Sequence, residues 1–144
     1  MASRVLVIDS SVAVKWFLSE TQSAEALNIL SGFMSDDLSL LAPDFIYAEL
    51  GNVMWQRVRR NMLSAVDAQE FVAKISNLRF ALTSSSNLLV DACELAIAHG
   101  RSVYDSLYLA LSLRENCALV TADMKFADAV STTFPNVVPL GDWV

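Results

Sequence analysis

The sequence predicts an α/β fold, a parallel sheet with helices on both faces that makes a three-layer α/β/α sandwich. Three observations predict it. Short β-branched runs alternate along the chain with longer stretches of helical period, the pattern of parallel strands joined by crossover helices. At 144 residues, 54% hydrophobic and 18% charged, the chain has the length of one domain, 1–144, and enough apolar residues for a large core. With four Gly, three Pro and no repeat or low-complexity tract, collagen-like and disordered chains are excluded.

Residues 4–8 (RVLVI) read as the first buried strand. Residues 11–18 and 21–34 read as helices, with Ala24, Leu27, Leu30 and Phe33–Met34 marking one face of the second. Residues 38–42 form the second strand, stopped by Pro43, and a long helix follows from Asp44 to about Arg60. Ser64 caps the next helix, 65–78, with Asp67 in its first turn. Residues 79–83 are the third strand. Helices then span 88–99, ended by Gly100, and 103–115. Residues 118–121 are the fourth strand, 123–133 a helix and 137–140 the last strand.

Ten Lys+Arg against sixteen Asp+Glu give a net charge of −6, which taken alone argues against a nucleic-acid partner. No apolar run approaches the ~18 residues that cross a bilayer. Residues 1–5 lack the apolar stretch and cleavage site of a signal peptide, so a cytoplasmic location and no membrane partner are expected. Cys93 and Cys117 have no CxxC spacing and read as buried, reduced thiols. The single histidine, His99, precedes Gly100 and reads as a helix C-terminal residue; a His-rich zinc site is excluded.

In open α/β sheets, ligands gather at the carboxyl ends of the strands. Asp9 directly follows the first strand, Asp123 comes two residues after Thr121 at the end of the fourth, and Asp105 lies in the first turn of a helix. Glu49 sits within helix 44–60, on a stripe with Phe45 and Val53, where a carboxylate is costly unless paired or bound to a cation. Singly, Asp9 and Asp123 are explained as helix caps and Asp105 as a helix N-terminal charge worth ~0.3–1 kcal/mol. Together with Glu49 they read as a pocket of like charges that must bind protons or a cation.

An all-oxygen site suits Mg²⁺ or Mn²⁺, which can activate water and stabilise the attacking and leaving oxygens of a phosphodiester displacement. A metal-dependent nuclease is compatible with the acidic balance, since these four acids account for four of the six net negative charges. The basic candidates for RNA contact are Arg57, Arg59 and Arg60, which equally complement a helix C-terminus, and Lys15 and Lys125 beside the rim.

Three stretches, VIDSSVAVKWFLSE (7–20), LAPDFIYAELGNVMWQRVRR (41–60) and VYDSLYLALSLRENCALVTADMKF (103–126), carry a resemblance that covers nearly the whole chain. In that order they resemble the PIN-domain family, in particular the VapC-type ribonuclease toxins of bacterial toxin–antitoxin pairs. The resemblance implies a five-stranded parallel sheet, Mg²⁺- or Mn²⁺-dependent endoribonuclease activity, a homodimer and an inhibitory antitoxin that covers the acidic groove. The family's acids fall on Asp9, Glu49, Asp105 and Asp123, as catalytic and metal-holding residues with Asp9 and Asp105 at the centre. Thr121 matches the threonine of the TxD motif that orders the pocket, and Ser10 beside Asp9 joins it in support. Asp128 is an extra acid that some relatives use; five residues beyond Asp123, it is equally placed to face solvent.

The rivals are a non-toxin PIN nuclease and a catalytically silent PIN domain that binds RNA or protein. A DxD phosphatase fails because Asp9 is followed by Ser10–Ser11, and a phospho-receiver lacks its acidic pair and its lysine after the last strand. GxGxxG and GxxxxGK[ST] are absent. Trp16, Phe17, Met54 and Trp55 serve the core or a dimer surface, according to their exposure.

Overall fold

A computed structural model describes residues 3–143. Strands β1 (Arg4–Ile8), β2 (Leu38–Pro43), β3 (Ala81–Thr83), β4 (Ala118–Thr121) and β5 (Val137–Pro139) form one sheet in the order β3-β2-β1-β4-β5. Every neighbouring pair is parallel. In the central strand, Leu6, Val7 and Ile8 are fully buried. Successive strand residues point to opposite faces, so both faces of the sheet are covered, as a three-layer sandwich requires.

The chain steps from β1 outward to β2 and β3, then returns to the other side of β1 for β4 and β5. The reversal falls between β1 and β4. Side chains just beyond the carboxyl ends of these two strands therefore converge on one crevice.

The helices differ from the periodicity reading where side chains found stronger anchors. α1 (Ser10–Ala13) is one turn that tightens into a 3₁₀ turn, Val14–Trp16, rather than a helix over 11–18. Trp16 anchors this turn: its indole N–H donates to the Ala26 carbonyl at 2.8 Å and its ring stacks against Phe33 and Phe80. The same aromatic cluster turns α2 (Ser23–Met34) so that Ala26 and Ile29 are buried. Leu27 and Met34, expected on the inner face, are 47% and 70% exposed, and Ala24 is exposed too. The helix carries two adjacent apolar stripes, and the stripe shared with Phe33 is the one that packs inward.

α3 (Ile46–Arg59) starts two residues later than expected. Asp44 is held in the preceding turn, where its N–H donates to the Thr83 carbonyl and its carboxylate accepts from the Ser85 N–H. α4 (Ala65–Ser76) has the expected cap, with the Ser64 hydroxyl accepting from the Asp67 N–H at 3.1 Å. β3 is shorter than 79–83 because Phe80 leaves the ladder for the aromatic cluster, within 5.6 Å of Phe33.

α5 (Ser85–His99) begins three residues before the expected start and ends at Gly100, whose left-handed φ of 67° costs a glycine little. His99 closes that last turn with its ring edge-on to Phe134 at 5.3 Å. α6 (Val103–Arg114) is buried on every side from Ser106 to Ser112, packed on α5 and against the central strands. α7 (Met124–Val130) ends three residues before 133.

Both cysteines are free, but Cys93 is exposed on α5 and Cys117 is half-buried, so the reading of two buried thiols is corrected. Burial likewise removes Met54 from the candidate dimer surface, since it is fully buried, whereas Trp16 and Phe17 are half-buried and pack against the core. Trp55 alone of the four is open, 52% exposed beneath the Arg59 guanidinium. Among the described residues, no helix is long and apolar enough to cross a membrane.

Candidate active site

Asp9 occupies the N-cap position of α1 but does not cap it. Its carboxylate turns toward β4 instead. The buried Thr121 hydroxyl donates to Asp9 Oδ2 at 2.5 Å, and the Ser11 hydroxyl donates to Oδ1. Ser11 also accepts from the Ala122 N–H at 2.9 Å, and Thr121 accepts from the Asp123 N–H at 3.1 Å. These bonds stitch the ends of β1 and β4 together across the switch point.

Asp105 stands in the first turn of α6, where Ser102 takes the capping role by accepting from the Asp105 N–H at 3.1 Å. The Asp105 side chain is thereby free to face the crevice. Asp123 does cap α7: its Oδ1 accepts from the Phe126 N–H at 3.1 Å, leaving Oδ2 as its uncommitted oxygen. Glu49, in the first turn of α3, is half-buried, and the Tyr108 hydroxyl of α6 donates to its Oε1 at 2.7 Å.

Acids from four separated segments thus share one electrostatic environment. Burial pushes the Asp9 carboxyl from 3.8 up to about 7, against the pull of the Ser11 and Thr121 hydroxyls, with the charges of Glu49 and Asp105 adding to the rise. Glu49 is raised by burial and by Asp105, while the Tyr108 and Ser10 hydroxyls hold it down. Asp105 is raised by burial and by Asp123, and Arg101 opposes that rise. Beside these carboxylates the Tyr108 hydroxyl, itself raised by burial, stays protonated as a donor.

The donor set consists of carboxylates and hydroxyls, with no imidazole or thiol among them. Hard divalent cations favour such oxygens, and a cation would offset the charges that now raise one another's proton affinity. The residues therefore fit a divalent ion. Among the described residues, no three acids converge closely enough to grip one ion in this conformation. The Arg101 guanidinium lies between two of them, 3.4 Å from Asp105 Oδ2 and 3.8 Å from Asp123 Oδ2.

The crevice brings together Asp9, Glu49, Asp105, Asp123, Thr121 and Ser10. It also contains Ser11, Tyr108 and Arg101, which the sequence reading passed over. Asp128 is exposed on α7. Of the basic candidates, Arg57 is bound to Glu20 at 2.7 Å and Lys15 lies 3.6 Å from the same carboxylate, so these two tie the segment after α1 to α3. Arg59, Arg60 and Lys125 are exposed. An apolar groove of about 590 Å³, lined in part by Trp16, Phe33, Leu38 and Leu78, is separate from the acids.

Fold and crevice define an α/β domain with an acid-lined site at the switch point of a parallel sheet. The PIN domain model matches residues 6–130. The chain belongs to the PIN domain family. Ribonuclease VapC3 of Pyrobaculum aerophilum is 30% identical over 125 residues, covering 85% of this chain and 92% of that protein. The fold is also that of PAE2754 from Pyrobaculum aerophilum, with a TM-score of 0.67 at 19% identity over 98% of this chain and 93% of that one. A chain of a toxin–antitoxin complex from Klebsiella pneumoniae has a TM-score of 0.61 at 15% identity, covering 94% of this chain and 97% of its own.

Proposed function

We propose that this chain is a VapC-type endoribonuclease, the toxin of a toxin–antitoxin pair, which hydrolyses RNA phosphodiester bonds with Mg²⁺ or Mn²⁺. One observation carries the reading: acids from four segments line the crevice at the switch point, with Asp9 held there by two hydroxyls and raised by burial and, to a lesser degree, by the charges of Glu49 and Asp105. The ribonuclease relative and the fold shared with a chain of a toxin–antitoxin complex support the RNA substrate and an antitoxin partner.

In this reading, Asp9 and Asp105 hold the ion, with Asp123 Oδ2 and Glu49 completing the set directly or through water. A bound divalent ion supplies an acidified water and charge to steady the displaced oxygens. The protein's own groups supply position. Ser11 and Thr121 fix both oxygens of Asp9, and Tyr108 fixes Oε1 of Glu49. Glu49, raised by burial and by Asp105, would serve as the acceptor for a proton from a water that such an ion acidifies. Exposed Arg59, Arg60 and Lys125 are the RNA contacts. A cytoplasmic homodimer belongs to the same proposal, and Leu89, Val90 and Ile97, exposed on α5, form the apolar surface that it would cover.

The test is expression of the wild type and of Asp105→Asn in bacteria, with the 5′ ends of cellular RNA sequenced soon after induction. New ends and growth arrest with the wild type alone are expected. Folded, soluble protein that yields no new ends would overturn the catalytic reading in favour of a binding module.

A further inference from the structure

Arg101 is the only cation that pairs with the four acids among the described residues. Its backbone has little freedom. Gly100 ends α5 immediately before it, and Ser102 caps α6 immediately after it, so the residue is pinned in the turn between two packed helices. From there the guanidinium reaches the oxygens that matter. Asp123 has committed Oδ1 to the cap of α7, and the oxygen facing Arg101 is the remaining one, Oδ2. Asp105 also faces Arg101 with Oδ2.

The contacts are loose. At 3.4 and 3.8 Å they exceed the ~2.7–2.9 Å of a strong charge-assisted bond. The Arg101 Nε is buried with no acceptor at all. A side chain built to lock these two acids would use its paired donors at short range; this one rests against them with a donor unspent.

A divalent ion of the kind the site suits binds carboxylate oxygen at ~2.1 Å. It competes with the guanidinium for Asp105 Oδ2 and Asp123 Oδ2, because the two positive charges repel at that range and draw on the same negative charge. We propose that Arg101 is the resident counter-ion of the Asp105–Asp123 pair, a tethered competitor that a divalent ion must displace, and that it thereby sets the affinity of the site for that ion. The inference rests on the metal-dependent reading above and makes Arg101 a positioning residue.

Mn²⁺ binding to the intact protein at pH 8 without RNA, followed by the electron paramagnetic resonance of free Mn²⁺, tests it apart from activity. Arg101→Gln is expected to bind Mn²⁺ about tenfold more tightly than the wild type, since a unit positive charge has left the pocket. Arg101→Lys keeps a tethered charge and is expected to stay within about threefold of the wild type. Equal or weaker binding by a folded Arg101→Gln protein overturns the proposal. If that variant does not fold, Arg101→Met keeps the aliphatic stem and reads the same quantity. Should the wild type and every variant leave Mn²⁺ free, the metal-dependent reading fails and takes this inference with it. Equal affinities sink the inference alone.

Discussion

The Thr121 hydroxyl donates to Asp9 Oδ2 at 2.5 Å, joining the last residue of β4 to the residue that follows β1. Thr121 is fully buried and also accepts from the Asp123 N–H. Thr121→Val preserves shape and strand preference but removes both functions. Loss of a group that orients a metal-holding side chain typically costs about 10–100-fold, and RNA cleavage is expected to fall by that much. Asp9 is expected to move further up, because a donor that holds it down is gone. A pH–rate profile of the variant, with its acid limb displaced toward higher pH, checks both.

The raised acids make folding stability depend on pH in an unusual direction. Asp9 titrates at about 7 in the folded chain and near 3.8 in an unfolded one, and Glu49 and Asp105 are shifted the same way. Between those values the folded state holds a proton that the unfolded state has released. Stability from this group is therefore greatest at low pH and declines as pH rises from about 4 to 7. Urea unfolding at pH 5 and pH 7.5 in chelator is expected to show the lower midpoint at pH 7.5, with Mg²⁺ restoring part of the loss. A midpoint that rises across this interval contradicts the assignment.

Asp9→Asn follows from the same burial. One hydroxyl beside Asp9 can still donate to the asparagine carbonyl oxygen and the other must turn to accept from its NH2, while the buried charge is gone. Cleavage is expected to fall by at least ~10³-fold, whereas stability at pH 8 rises by ~2 kcal/mol. At pH 4 the two proteins converge. Thermal melts at both pH values, run beside the cleavage assay, separate this outcome from simple damage to the fold.

The acids were legible because the fold marks their positions. Asp9, Asp105 and Asp123 stand where a strand ends or a helix begins, and Glu49 interrupts an apolar stripe. Tyr108 was hidden because α6 is apolar all round, so a tyrosine there reads as core; its spacing of three from Asp105 was the available signal. Arg101 lies four residues before Asp105, an ion-pair spacing that the sequence does offer. Ser11 was passed over for Ser10 because a strand-to-helix junction does not reveal which of two serines turns inward. The face of α2 was illegible for a different reason: its two neighbouring stripes are both apolar, and only distant Phe80 and Trp16 choose between them.

Tyr108→Phe isolates the hydroxyl on Glu49. The ring would keep its packing against Phe45, 5.4 Å between centroids, while the 2.7 Å bond to Oε1 is lost. Cleavage is expected to drop about tenfold or more with RNA affinity unchanged, because the hydroxyl positions the carboxylate and does not touch RNA. Measuring binding on the Asp9→Asn background and turnover on the active one distinguishes the two. A fall in affinity with normal turnover sinks the assignment.

The arginines at the end of α3 are expected to divide by what they touch. Arg57 is tied to Glu20 at 2.7 Å and both side chains are about a quarter exposed, so Arg57→Gln removes a partly screened ion pair. The expected cost is ~0.5–1 kcal/mol of stability, with RNA affinity unchanged. Arg60 is exposed and makes no ion pair among the described residues. If it meets a phosphate, Arg60→Gln leaves stability alone, weakens RNA binding for every sequence alike and lowers the slope of log affinity against log salt by about one. RNA titrations of both variants at several salt concentrations, on the inactive Asp9→Asn background, read that slope directly. Unchanged binding in Arg60→Gln with a reduced slope in Arg57→Gln would reverse the two roles and place the RNA on the Glu20 side of α3.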